Sequence, residues 1–64
     1  MMFLTIEGGR LTMYDPRDVP HVVTVAQAET LTAEQDVQVS SSIDFPEEYT
    51  TDPAVVAFCR NLRG

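Results

Sequence analysis

Cys59 and His21 are the chain's one thiol and one imidazole, so any nucleophile with a nitrogen base would have to be built from them. Cys59, however, recurs with Val55, Phe58 and Leu62 at helical spacing on one apolar stripe, where a thiol packs as a small inert hydrophobe. His21 follows Pro20 at the entrance to a strand, an ordinary place for an exposed or capping histidine. Two soft ligands also fall short of the four Cys or His that a structural zinc site takes. No metal and no cofactor are expected. Asp44, Glu47 and Glu48 are near enough in sequence to suggest an acid–base pair. Yet Glu47 and Glu48 diverge on a turn, and no second cluster faces them. Gly8-Gly9 lacks the helix and lysine of a phosphate-binding loop. Ser40-Ser41-Ser42 reads as part of a strand with Ser41 turned inward and its neighbours on a polar face. No catalytic residue is expected, and the protein is not expected to be an enzyme.

Charge is the more informative property. Ten carboxylates stand against four arginines and no lysine, a formal net charge of -6. No Lys or Arg falls between Arg17 and Arg60, whereas Asp18, Glu29, Glu34, Asp36, Asp44, Glu47, Glu48 and Asp52 all do. Such a body repels nucleic acid and anionic membranes and is attracted to a basic protein surface. Its plain alternative use is solubility. The acids gather around Glu29, Glu34 and Asp36, and again around Asp44, Glu47, Glu48 and Asp52. The second group has a structural reason, because carboxylates at a helix N-terminus offset its dipole. Tyr49, with Tyr14 and Phe3, supplies aromatic anchors of the kind interfaces use.

The expected partner-binding residues are therefore Glu29, Glu34, Asp36, Asp44, Glu47, Glu48 and Tyr49. The expected partner is a basic protein surface, such as that of a nucleic-acid-binding protein, whose cationic groove carboxylates occupy in place of phosphates. By size and charge, though by no motif, the chain resembles small acidic inhibitors carried by phages and other mobile elements. The alternative is a structural subunit of a homo-oligomer or larger assembly, with Phe3, Met13 and Tyr14 buried by copies of the chain.

The elements that must position these residues begin with two β-prone runs, Phe3 to Ile6 and Leu11 to Tyr14. They flank Gly8-Gly9, which supplies the positive φ of a tight hairpin. Met2, Leu4 and Ile6 share one face with Leu11 and Met13; Phe3 and Tyr14 lie on the other, which hints that this face is not fully solvated. Pro16 and Pro20 end the hairpin, and His21 to Val25 reads as a third strand. The segment that follows is ambiguous. Ala26-Gln27-Ala28-Glu29 favours helix and Thr30-Leu31-Thr32 favours strand. A strand running on to Leu31 and returning from Asp36 to Phe45 sets Leu31 opposite Val37, Val25 opposite Ile43 and Val23 opposite Phe45, apolar on one face. Otherwise Val25 to Gln35 is a helix and the order becomes ββ-β-α-β-α.

Pro46 with Glu47 and Glu48 suits a single helical turn. Asp52 as N-cap and Pro53 at the first position start a terminal helix, with Arg60 and Arg63 in its last turn and Gly64 as C-cap. The expected fold is a small single α+β domain over residues 1–64: a four-stranded antiparallel sheet of two β-hairpins with a C-terminal helix packed on one face. A chain this short hides only about 60% of its unfolded surface and has a thin core. A lone cysteine forms no disulfide within the chain. No apolar run approaches the roughly 18 residues of a membrane span, and the apolar start lacks a basic leader. A reducing, cytoplasmic setting is expected.

Overall fold

The computed structural model describes residues 1–63; the C-cap expected at Gly64 lies outside the described residues. The elements are β1 (Met2–Glu7), β2 (Arg10–Tyr14), β3 (Pro20–Val22), α1 (Val25–Glu34), β4 (Val37–Val39), α2 (Ser41–Asp44), a 3-10 turn (Pro46–Glu48) and α3 (Pro53–Arg63). The fold is a small α+β unit with one four-stranded sheet in the order β3-β2-β1-β4.

The first hairpin forms as its residues dictate. Gly8 and Gly9 take φ of 58° and 78°, the left-handed region that glycine enters without steric cost. The register pairs Phe3 with Tyr14, Leu4 with Met13, Thr5 with Thr12, Ile6 with Leu11 and Glu7 with Arg10. Leu4, Ile6, Leu11 and Met13 thus share one face, and all four are buried. Met13 is therefore a core residue, not an outer one.

The second hairpin does not exist. β4 pairs with β1, and in parallel, so the sheet is mixed rather than purely antiparallel. β3 is antiparallel to β2, and β2 to β1, so β3 and β4 run the same way. Two parallel strands cannot be joined by a tight turn; the chain must cross the sheet, usually as a helix. That requirement makes 25–34 helical and removes the expected pairing of Leu31 with Val37, Val25 with Ile43 and Val23 with Phe45. The local sequence agrees. Thr24 and Gln27 form a reciprocal capping box, Gln27 N–H donating to Thr24 Oγ1 at 3.0 Å and Thr24 N–H to Gln27 Oε1 at 2.9 Å; each satisfies an otherwise orphan N–H at the helix start. Ala28 is fully buried and belongs to the same core cluster as Leu4 and Met13.

The expected strand from Asp36 to Phe45 stops at Val39. Ser40 is extended, with ψ of 170°, and caps α2 by accepting from Ser42 N–H; serine competes for backbone in this way wherever a helix can start. The turn puts Ile43 in the core at 1% exposure and leaves Phe45 at 58%. It also reverses the expected serines: Ser42 is buried and Ser41 exposed.

α3 starts as its sequence indicates, with Ala54 N–H donating to Asp52 Oδ1 at 2.9 Å. Val55, Phe58 and Cys59 join the core, while Leu62 remains 37% exposed.

Ser42 does more than follow a cap. Beyond Val39 the chain leaves the edge of β1, and Ser40 N–H makes the last backbone contact there, to Leu4 O at 3.0 Å. The next outward amide on β1, Ile6 N–H, donates instead to Ser42 Oγ at 2.9 Å. A side-chain hydroxyl thus extends the ladder by one rung. Thr5 Oγ1 lies 3.2 Å from the same oxygen and accepts from Ser40 Oγ at 2.9 Å. Replacing Ser42 by Ala orphans a buried amide, a change that costs about 1–3 kcal/mol. Ser41→Ala, on an exposed position, should stay within about 0.5 kcal/mol. Equilibrium denaturant unfolding of the two variants beside the parent checks the difference.

Candidate functional site

An open groove of about 680 Å³ lies between the sheet and α1. β2 and β3 contribute Met13 and His21, α1 contributes Ala26 and Leu31, and Met2 and Val23 complete the apolar wall. Its polar end is a loop folded around one carboxylate. Asp15 Oδ1 accepts from Arg17 N–H at 2.8 Å and Val19 N–H at 3.0 Å, and Oδ2 lies 3.0 Å from His21 Nε2. These bonds hold Asp18 at a φ of 68°, a conformation uncommon outside glycine. His21 foremost, then the Val19 and Arg17 amides, hold the Asp15 carboxyl well below the ordinary range, down to about 2. Asp15 is thus an anion at neutral pH that orients the imidazole ring of His21 through Nε2. Among the residues lining the groove, Asp15 and His21 are the titratable ones. The groove thus sets one oriented imidazole beside an apolar wall.

Cys59 lies away from this groove, buried among core residues, and burial pushes its thiol pKa up. It lines a separate cavity with Ile43 and Pro46, so His21 and Cys59 line different cavities.

The acidic residues fall into two kinds. Asp44 Oδ1 meets Arg63 Nε at 2.7 Å, and Glu47 is paired with Arg60; both carboxylates therefore tie the α2 region to the end of α3. Glu48 and Tyr49 are exposed beside them. Glu29, Glu34 and Asp36 are also exposed, but they sit on a helix and its exit rather than at a hairpin tip. Glu29 and Glu34 are five residues apart, roughly 140° around the helix, and so do not share a face. Glu34 is the last residue of α1 and Asp36 lies just beyond it. The helix dipole is negative there and disfavours both. No basic residue occupies the last turn of α1, and among the described residues neither acid is in an ion pair.

The sequence reading missed the groove and the Asp15–His21 contact. Asp-Pro at 15–16 did signal a turn whose carboxylate binds nearby amides, but the approach of His21 depends on β3 pairing with β2. No protein-family model, curated protein or solved structure matches this chain.

Two outcomes follow from these charges. The Asp15 pKa is depressed in the fold, so its stabilisation is present above the ordinary carboxylate pKa and lost as pH falls from about 4 towards 2. Asp15→Asn should therefore flatten the acid limb of a thermal-midpoint-versus-pH curve relative to the parent over that interval. Conversely, Glu34→Gln should raise stability by about 0.3–1 kcal/mol by removing an anion from a helix C-terminus. Denaturant unfolding at neutral pH and low salt checks the sign.

Proposed function

We propose that this is a small acidic, non-enzymatic binding protein, an inhibitor or regulator that docks its carboxylates on a basic surface of a partner protein. A nucleic-acid-binding protein is the partner class whose cationic surface ordinarily takes phosphates, and carboxylates would occupy it in their place. The reading rests on one observation: Glu34 and Asp36 carry charge where the dipole of α1 opposes it, with no basic residue in the last turn of α1 and neither acid in an ion pair among the described residues. Residues that work against local stability are what a binding surface retains. Glu29, on another side of α1, adds to long-range steering rather than to the same contact. Asp44 and Glu47 already have arginine partners within the chain, so Glu48 and Tyr49 are the available members of the second patch.

A second reading, a subunit that assembles with copies of itself, is favoured by Phe3 and Val22. They are 39% and 63% exposed on the sheet face opposite the core.

The immobilised chain, offered a lysate and washed in rising salt, should retain a basic protein at low salt and release it at moderate salt. Glu34→Lys with Asp36→Lys should slow that association and flatten its salt dependence. Retention unchanged by the double reversal would remove the end of α1 from the contact.

A further inference from the structure

On the sheet face opposite the core, the Ser40 and Ser42 hydroxyls reach Thr5 Oγ1 at the β1 edge, and side chains of the strands themselves lie across the hairpin. Tyr14 hydroxyl donates to the Glu7 carboxylate, 2.8 and 2.7 Å from its two oxygens. Tyr14 and Glu7 stand at opposite ends of the hairpin, so this contact spans the row between them, Thr5 and Thr12. Those threonines are 7% and 4% exposed. Phe3 flanks the phenol at 6.4 Å between ring centroids. The result is a flat face, aromatic at one end and charged at the other.

The register arranges this face in rows across the sheet. Pro20, Tyr14, Phe3 and Gln38 form one row; Val22, Thr12 and Thr5 form the next; Arg10 and Glu7 form the third. Arg10 is exposed, and among the described residues it is in no ion pair. Glu7 has also not exhausted its capacity: a carboxylate has about four acceptor sites, and one phenol cannot fill them.

We propose that this face binds a second copy of the chain, sheet against sheet, about a two-fold axis parallel to the strands and midway between β1 and β2. This takes up the homo-oligomer reading, names its surface, and is independent of acidic docking. Such an axis exchanges β1 with β2 and β3 with β4 while keeping each row at its own level. Glu7 then faces Arg10 of the second copy, and Arg10 faces its Glu7, so the charge complementarity is made twice, as an isologous interface requires. Phe3 faces Tyr14 of the second copy, and Pro20 faces its Gln38. Tyr14 and Glu7 lie over the threonine row at the centre, so the two copies meet there through these side chains, at the roughly 10 Å spacing of packed sheets. Shifting one copy by one strand sets Glu7 against Glu7 or Arg10 against Arg10, which disfavours the nearest alternative alignments.

Sedimentation equilibrium of the whole chain should show a monomer–dimer equilibrium, with Glu7→Arg and Arg10→Glu each weakening the dimer about ten-fold or more. The combined swap, which restores both pairs, should return the dissociation constant to within about three-fold of the parent. A monomer at about 1 mM overturns both this proposal and the homo-oligomer reading. A dimer indifferent to either reversal overturns the proposal alone. Because Glu7→Arg also removes the partner of Tyr14, a second measurement leaves that contact intact. A spin label on Gln38→Cys, mixed with an unlabelled isotopic copy, should broaden the His21 and Val22 amides of that copy most strongly. Broadening centred on Val37 to Val39 would instead indicate pairing through the β4 edge and overturn the proposal.

Discussion

β1 is hydrogen-bonded along both edges, and the rest of the structure follows from how its second edge is completed. Its first partner, β2, comes at once through a two-glycine turn. The second partner, β4, is parallel to β1 and to β3 before it, so the chain has to return across the sheet before it can pair. α1 is that return. β4 then supplies three residues, and where it ends Ser42 supplies a hydroxyl to Ile6 N–H. A buried amide without a partner costs more than a hydrogen bond is worth. The serine turn is therefore not a loose connection but the last rung of the central strand, and it also delivers Ile43 to the core.

The electrostatic character divides along the same lines. Carboxylates near structural junctions are engaged within the chain: Asp15 organises the β2–β3 loop, Asp44 and Glu47 meet arginines of α3, Asp52 caps α3, and Glu7 receives Tyr14. Those at the end of α1 are not, and they oppose its dipole. An excess of charge on a small protein serves solubility wherever it lies, so net charge alone distinguishes nothing. Position does, because an acid at a helix C-terminus carries a local cost that an acid elsewhere on the surface avoids.

Much of this was legible before folding. The hairpin was, because glycine at positive φ and strict alternation are local and mutually consistent. The start of α3 was, because Asp52-Pro53 combines a cap with a residue pre-set for the first turn. Two misread segments also carried local signals. Thr24 and Gln27 have capping-box spacing, and Ser40 stands before a turn-forming Ser-Ser-Ile-Asp. They were outweighed by an alternation in 36–45 that was equally real. A period of two in Val37, Val39, Ser41, Ile43 and Phe45 continues smoothly through a strand end, since apolar spacing alone does not mark where pairing stops. The candidate site was less legible. The acids were visible as a group, but whether each has an arginine beside it depends on the packing of α3 against the α2 region. The groove and the Asp15–His21 contact join residues from three strands, a loop and a helix.

Local causes account for a glycine turn, a capped and proline-started helix, an apolar stripe and a net negative charge. Tertiary structure decided the direction of β4, the helical state of 25–34, the burial of Ser42 over Ser41, and the division of the carboxylates into paired and unpaired. Each of these rests on a contact between residues far apart in the chain. Ser42 and Ile6 are 36 residues apart, and nothing in the nearest neighbours of either shows that an amide of one needs the hydroxyl of the other.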